Sequence, residues 1–91
     1  MTYRFYMTEH AEDDLRQLDR SIARRIRDKL AWYERQGDPL SFAKPLRGSI
    51  LGSYRFRVGD WRIFVDVDGR GHITVLMVLA IEHRSRAYKR G

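Results

Sequence analysis

The chain has 91 residues, no cysteine, 18 Lys and Arg against 12 Asp and Glu, and a formal net charge of +6. That length allows one domain spanning 1–91, and a hydrophobic content of 43% excludes a disordered tail. Disulfides and thiolate zinc sites are excluded too, and the longest apolar run, Val75 to Ile81, is far short of the roughly 20 residues that span a bilayer. Met1-Thr2-Tyr3-Arg4-Phe5 lacks the apolar stretch of a signal peptide. A cytoplasmic protein with no membrane partner is therefore expected. The positive charge favours nucleic acid, an anionic membrane surface or an acidic protein. It is unevenly placed: Glu9, Glu12, Asp13, Asp14 and Asp19 come early, and Arg84, Arg86, Lys89 and Arg90 come late.

Taken in order, Thr2 to Met7 is a short apolar and aromatic run with the β-formers Tyr3, Phe5 and Tyr6, and predicts a strand. Thr8 is placed to cap a helix, with Glu9, Glu12 and Asp13 in its first turns, where the helix dipole favours negative charge. Ala11, Leu15 and Leu18 recur at helical spacing. Asp19-Arg20-Ser21 breaks the pattern. A second helix then carries Ile22, Ile26, Leu30 and Tyr33 on one face, with Trp32 at its flank as an edge-of-core residue, and ends at Gly37-Asp38-Pro39. Two helices with a shared apolar side need a sheet to cover.

A connector from Leu40 to Gly52 leads into Tyr54–Val67, which predicts two strands joined at Gly59-Asp60. Strand side chains alternate between faces. Tyr54, Phe56 and Val58 with Ile63, Val65 and Val67 therefore make one face, and Arg55, Arg57 and Arg62 line up on the other, open face. Asp68-Gly69-Arg70-Gly71 predicts a turn, and a last strand from His72 to about Ile81 is apolar enough to lie centrally. The polar end, from Glu82, predicts a short excursion or frayed helix. The fold class is α+β, in the order β-α-α-β-β-β, with a small, mainly antiparallel sheet and a helical hairpin on one face.

A guanidinium is permanently charged and its planar fork matches phosphate oxygens, so three on a rigid sheet form a candidate phosphodiester clamp. Such a clamp stabilises charge that develops on phosphorus. The alternative is a solvated strand face with snorkelling arginines. Glu82, His83, Arg84, Arg86 and Tyr88 follow directly beside that face, where imidazole or phenol can move protons and the phenol ring can stack on a base. Lys44 and Arg47 are further phosphate contacts or simply solvated. His10 and His72 have no metal-ligand spacing, so no metal or other cofactor is expected.

Lys44-Pro45-Leu46-Arg47-Gly48, the stretch Gly52 to Phe64, and Ile81-Glu82-His83-Arg84 with Tyr88 together resemble the RelE/ParE superfamily of toxins. The likeness extends to the opening pattern of Ala11, Asp14, Leu15 and Leu18. In the RelE branch it implies a ribosome-dependent endoribonuclease that cuts mRNA, uses the substrate's own 2′-OH as nucleophile and needs no metal. The toxin is neutralised by a cognate antitoxin. By motif position, Arg55 and Arg57 match the branch's basic pair, Arg62 its phosphate-binding arginine, Arg84 the arginine after the last strand, and Tyr88 the terminal tyrosine. The basic pair is often lysine in that branch, and an arginine is a poor general base. Glu82, which stands where the family often has glycine, His83 and Tyr88 are the remaining candidates for the base. The ParE branch shares the fold and is associated with inhibition of DNA gyrase by binding, without RNA cleavage. A third possibility is a degenerate relative that only binds an antitoxin.

Overall fold

The computed structural model describes residues 2–87. The order is β1 (Thr2–Met7), α1 (Glu9–Arg16), α2 (Arg20–Glu34), a 3-10 turn (Pro39–Phe42), β2 (Lys44–Pro45), β3 (Tyr54–Val58), β4 (Trp61–Arg70), β5 (Ile73–His83) and α3 (Arg84–Ala87). The expected β-α-α-β-β-β core is present, with β2 added as a two-residue edge strand. The sheet order is β1-β5-β4-β3-β2, with β1 parallel to β5 and the other neighbours antiparallel. The last strand thus lies inside the sheet, although β4 holds the middle.

The helices form for the reasons the residue pattern gives. Thr8 Oγ1 accepts from the Ala11 N–H at 3.3 Å and donates to Val78 O at 2.6 Å. One hydroxyl therefore caps α1 and fastens its start to β5. Ala11 and Leu15 of α1 and Ile26, Leu30 and Tyr33 of α2 are buried against Phe56, Val58, Ile63, Val65, Leu76, Val78 and Ile81. Tyr33 and Phe5 both pack on Phe56, with ring centroids 4.9 and 5.3 Å apart. Trp32 packs half-buried at the margin of this core, with Lys29 Nζ 4.1 Å from its ring centroid.

Edge backbone groups are satisfied by helix carboxylates. The Phe5 N–H on the outer side of β1 donates to Glu34 Oε2 at 2.6 Å. Beyond Met7, which pairs with Val78, β5 has no strand partner on that side among the described residues, and the Ile81 N–H donates to Asp14 Oδ2 at 2.9 Å. An unpaired strand edge is a template for unwanted pairing, and these carboxylates blunt it.

Two expectations need correction. The turn predicted at Asp68-Gly69-Arg70-Gly71 lies two residues later, at Gly71-His72, because Asp68, Gly69 and Arg70 stay paired with Val75, Thr74 and Ile73. The reversal falls at Gly71, whose φ is +65°. Secondly, the face away from the helical hairpin is not a bare sheet. Phe64, Ala80 and Ala87 form a second small core there, with Leu46 and Leu51 packed on it. Phe64 is an apolar residue on the arginine side, and α3 with the 46–51 segment covers it.

The β4–β5 ladder also contains a β-bulge. Phe64 pairs with Ala80 but Val65 pairs with Val78, so Leu79 is left over. An extra residue in a strand inverts the alternation beyond it. Leu76 and Val78 face the helices before the bulge, and Ile81 faces them after it.

Candidate nucleic-acid interface

Directly opposed strand residues share a face. On the open face this gives two rows: Arg57, Arg62 and Glu82 across β3, β4 and β5, and Lys44, Arg55, Phe64 and Ala80 from β2 to β5. All three sheet arginines therefore lie on the expected side, but their surroundings differ. Arg57 is exposed, and its Nε donates to Gly59 O at 3.4 Å. Arg55 is half-buried. Arg62 is only 3% exposed, and its Nη1 donates to Gly59 O at 3.0 Å and to Trp61 O at 3.1 Å. The expected row of open guanidiniums thus contains one that is folded under the β3–β4 hairpin.

Beside the second row runs a cleft of about 470 Å³ between the 44–51 segment and α3, with Arg55 and Phe64 in its wall. Its described lining holds three cations, Lys44, Arg47 and Arg55, and no carboxylate. Gly52 fixes the wall to the sheet. Its φ is +107°, and an added Cβ would stand 2.5 Å from Val65 O. The Ser53 N–H donates to that same Val65 O at 2.9 Å, and the Leu46 N–H to Ser53 O at 2.9 Å. Only glycine allows so close an approach in this conformation.

At the other end of the face, the Arg84 N–H donates to Asp60 O at 2.8 Å, and Arg84 Nε lies 3.8 Å from Asp60 Oδ1. Arg84 is thereby set against the β3–β4 turn. Arg86 is exposed on α3. The bulge places Glu82 opposite Arg62, side by side with opposite charge, and it is 8% exposed. His83 falls on the other face, opposite Trp61, with ring centroids 5.2 Å apart. Of the candidate bases, Glu82 shares the arginine row and His83 does not, whereas Tyr88 lies outside the described residues. Among the described residues, no group of three or more metal-binding side chains gathers, and no helix is long and apolar enough to cross a membrane.

Asp14, Glu34, Asp60 and Trp61 hold structural or neighbouring positions that the residue pattern did not assign. Asp14 and Glu34 act through backbone N–H groups distant in sequence, which no local spacing reveals. Asp60, in contrast, sits in the recognisable turn beside the arginines. The titration of one buried group is altered: desolvation by burial raises the pKa of Tyr33, opposed by the charge of Arg57. Its hydroxyl donates to Arg57 O at 2.9 Å.

A helical hairpin on one sheet face and a cleft lined by Lys44, Arg47 and Arg55 on the other define a small α+β domain with a cationic face. The family described as "ParE toxin of type II toxin-antitoxin system, parDE" matches over residues 5–88. The chain belongs to this family, within the RelE/ParE superfamily of toxins. It is 31% identical over 90 residues to Toxin RelG of Mycobacterium tuberculosis (strain ATCC 25618 / H37Rv), covering 99% of this chain and 100% of that protein. The toxin-antitoxin complex RelBE2 from M. tuberculosis contains a chain with TM-score 0.73 and 27% identity, covering 92% of this chain and 100% of that one. The archaeal RelE-RelB complex from Pyrococcus horikoshii OT3 shares the fold, with TM-score 0.63 at 23% identity over 94% of this chain and 99% of that one.

Proposed function

We propose that this toxin is a ribosome-dependent endoribonuclease of RelE type, held inactive by a cognate antitoxin. The observation that carries the reading is the clustering of Lys44, Arg47 and Arg55 around a cleft lined by no described carboxylate, with exposed Arg57 on the same sheet face and exposed Arg84 and Arg86 on the adjoining α3. Phosphate charge dominates nucleic-acid affinity, and such a face would bind an RNA backbone. The likeness to RelG and to chains solved as RelB–RelE complexes supports both the branch and the antitoxin.

In the reaction, the 2′-oxygen of one nucleotide attacks the adjacent phosphorus. The P–O5′ bond breaks, leaving a 2′,3′-cyclic phosphate and a 5′-oxyanion that takes a proton from water to become the 5′-hydroxyl. Arg55 and Arg57 neutralise the scissile phosphate, and Arg84, steadied by Asp60, stabilises charge developing on phosphorus or on the departing oxygen. Lys44, Arg47 and Arg86 hold neighbouring phosphates. Arg62 orders the hairpin that presents Arg57 and sets the field around Glu82. Glu82 receives the 2′-OH proton, a role for which a carboxylate suits better than an arginine. Tyr88 keeps the base-orienting role its motif position implies. His83 stands on the opposite face and is given no part in proton transfer.

A reporter mRNA in a ribosome-containing translation extract tests this directly. Wild-type protein should cut the transcript only when ribosomes are present, and Arg57→Ala with Arg84→Ala should abolish the cut. Intact transcript with wild-type protein would sink the reading. The ParE description of the matching family supports a second reading, gyrase inhibition by binding. That reading predicts loss of gyrase supercoiling activity in a purified assay, with transcripts untouched.

A further inference from the structure

The structure assigns His83 a different place, and from it we infer a second site, which takes one RNA nucleotide flanking the scissile phosphate. The inference rests on the endoribonuclease reading. A cleft of about 420 Å³ opens on the helix side of the end of β5. Its walls include His10 and Asp14 of α1, Gln17 just after it, Trp61 of β4, His83 of β5 and Arg86 of α3. That volume falls within the range of small-ligand sites.

Its chemistry is that of a nucleotide. Trp61 and His83 meet almost perpendicularly, at 86°, so the two rings make an aromatic corner in the wall of the cleft, against which a base could stack. Both residues are half-buried and line the cleft. The Ser85 N–H reaches His83 Nδ1 at 3.3 Å and Ser85 Oγ lies 3.0 Å from it. With Nδ1 accepting, the neutral ring carries its proton on Nε2 and presents it as a donor. Asp14 is held in place by the Ile81 N–H at 2.9 Å and by His10 Nε2 at 3.5 Å. The exposed Gln17 amide offers a donor and an acceptor together, the pairing needed at a base edge. Arg86 supplies a cation for the phosphate.

The two sites adjoin. Glu82 lines this cleft and stands in the same row as Arg62 and Arg57. The short α3 forms a ridge between them, with Ala87 lining the basic cleft and Arg86 this one. An RNA strand crossing α3 would place its backbone on Arg84 and Arg86 and drop the next base against Trp61.

Trp61 is itself the probe. The chain has two tryptophans, so Trp32→Phe leaves Trp61 as the single emitter. Titration of that protein with adenosine 5′-monophosphate should quench its fluorescence saturably, whereas ribose 5-phosphate should not. His83→Ala and Gln17→Ala should each weaken binding by on the order of tenfold, as loss of a stacking or edge contact does. Unchanged thermal unfolding of both variants excludes misfolding, and Gln17, being exposed, serves where His83→Ala unfolds. Non-saturating quenching, equal quenching by ribose 5-phosphate, or identical affinity in folded variants would overturn the site. Because the readout is binding, saturable quenching without transcript cleavage would retain the nucleotide site and reject the endoribonuclease reading. Cleavage without saturable quenching would do the reverse.

Discussion

Arg57 and Arg62 face each other across the β3–β4 ladder, yet one is exposed and the other is 3% exposed. Both donate to the same carbonyl, Gly59 O, Arg57 through Nε at 3.4 Å and Arg62 through Nη1 at 3.0 Å. Two like charges opposed on a sheet repel. Here the burial of Arg62 beside Glu82 relieves that repulsion and leaves Arg57 as the solvent-facing partner.

The two arginines should consequently fail in different ways. Arg62→Ala removes charge-assisted bonds to two carbonyls and should cost roughly 1.5–3 kcal/mol of stability, read as a lower urea midpoint. Arg57→Ala should change stability by no more than about 0.5 kcal/mol while lowering transcript cleavage about a hundredfold, as loss of one charge-stabilising donor does. Equal loss of stability in both variants would contradict the division.

Asp14 joins α1 to β5 through the Ile81 N–H. Asp14→Ala leaves that donor without its acceptor and should destabilise the fold by about 1–3 kcal/mol. Asp14→Asn retains a carbonyl oxygen and should recover part of the loss. Amide hydrogen exchange at Ile81 is the local readout: fast in Asp14→Ala, intermediate in Asp14→Asn.

Gly52→Ala should strike the wall of the basic cleft. The left-handed backbone alone costs on the order of 1–3 kcal/mol for a side chain, and the new Cβ would meet Val65 O at 2.5 Å. The 46–53 segment should pull away from β4. Binding of a short RNA by the variant should weaken even under conditions where it remains folded.

Tyr33 predicts an alkaline limit. Burial raises its pKa above the ordinary value of 10.0, so the folded state holds the phenol proton more tightly than the unfolded chain. The resulting stability is fully present below the unfolded-state pKa and is lost as pH rises through the higher folded-state value. Thermal midpoints should therefore fall on raising pH above about 10. Tyr33→Phe should flatten that dependence, at the cost of the hydrogen bond to Arg57 O.

Periodicity was enough to establish the helical hairpin, the Thr8 cap and the core face of β3 and β4, because each depends on residues close in sequence. Ile22, Ile26, Leu30 and Tyr33 can form a stripe only on a helix, and Phe56, Val58, Ile63 and Val65 can share a face only on strands. The arginine side followed from the same alternation. The cover over that side did not, because Leu46, Leu51 and Ala87 reach Phe64 from segments without a diagnostic period.

The sequence by itself thus determined the fold class, the family and the face that carries Arg55, Arg57 and Arg62. Tertiary structure decided how open that face is and which residue joins it. Strict alternation along β5 would set Glu82 beneath the helices, on the side of Leu76 and Val78, and His83 with the arginines. The bulge at Leu79 inverts the order: Glu82 pairs with Arg62, and His83 meets Trp61 across the sheet. A bulge is a mismatch between two strands and not a property of either one, so it becomes visible only when β4 and β5 are laid side by side.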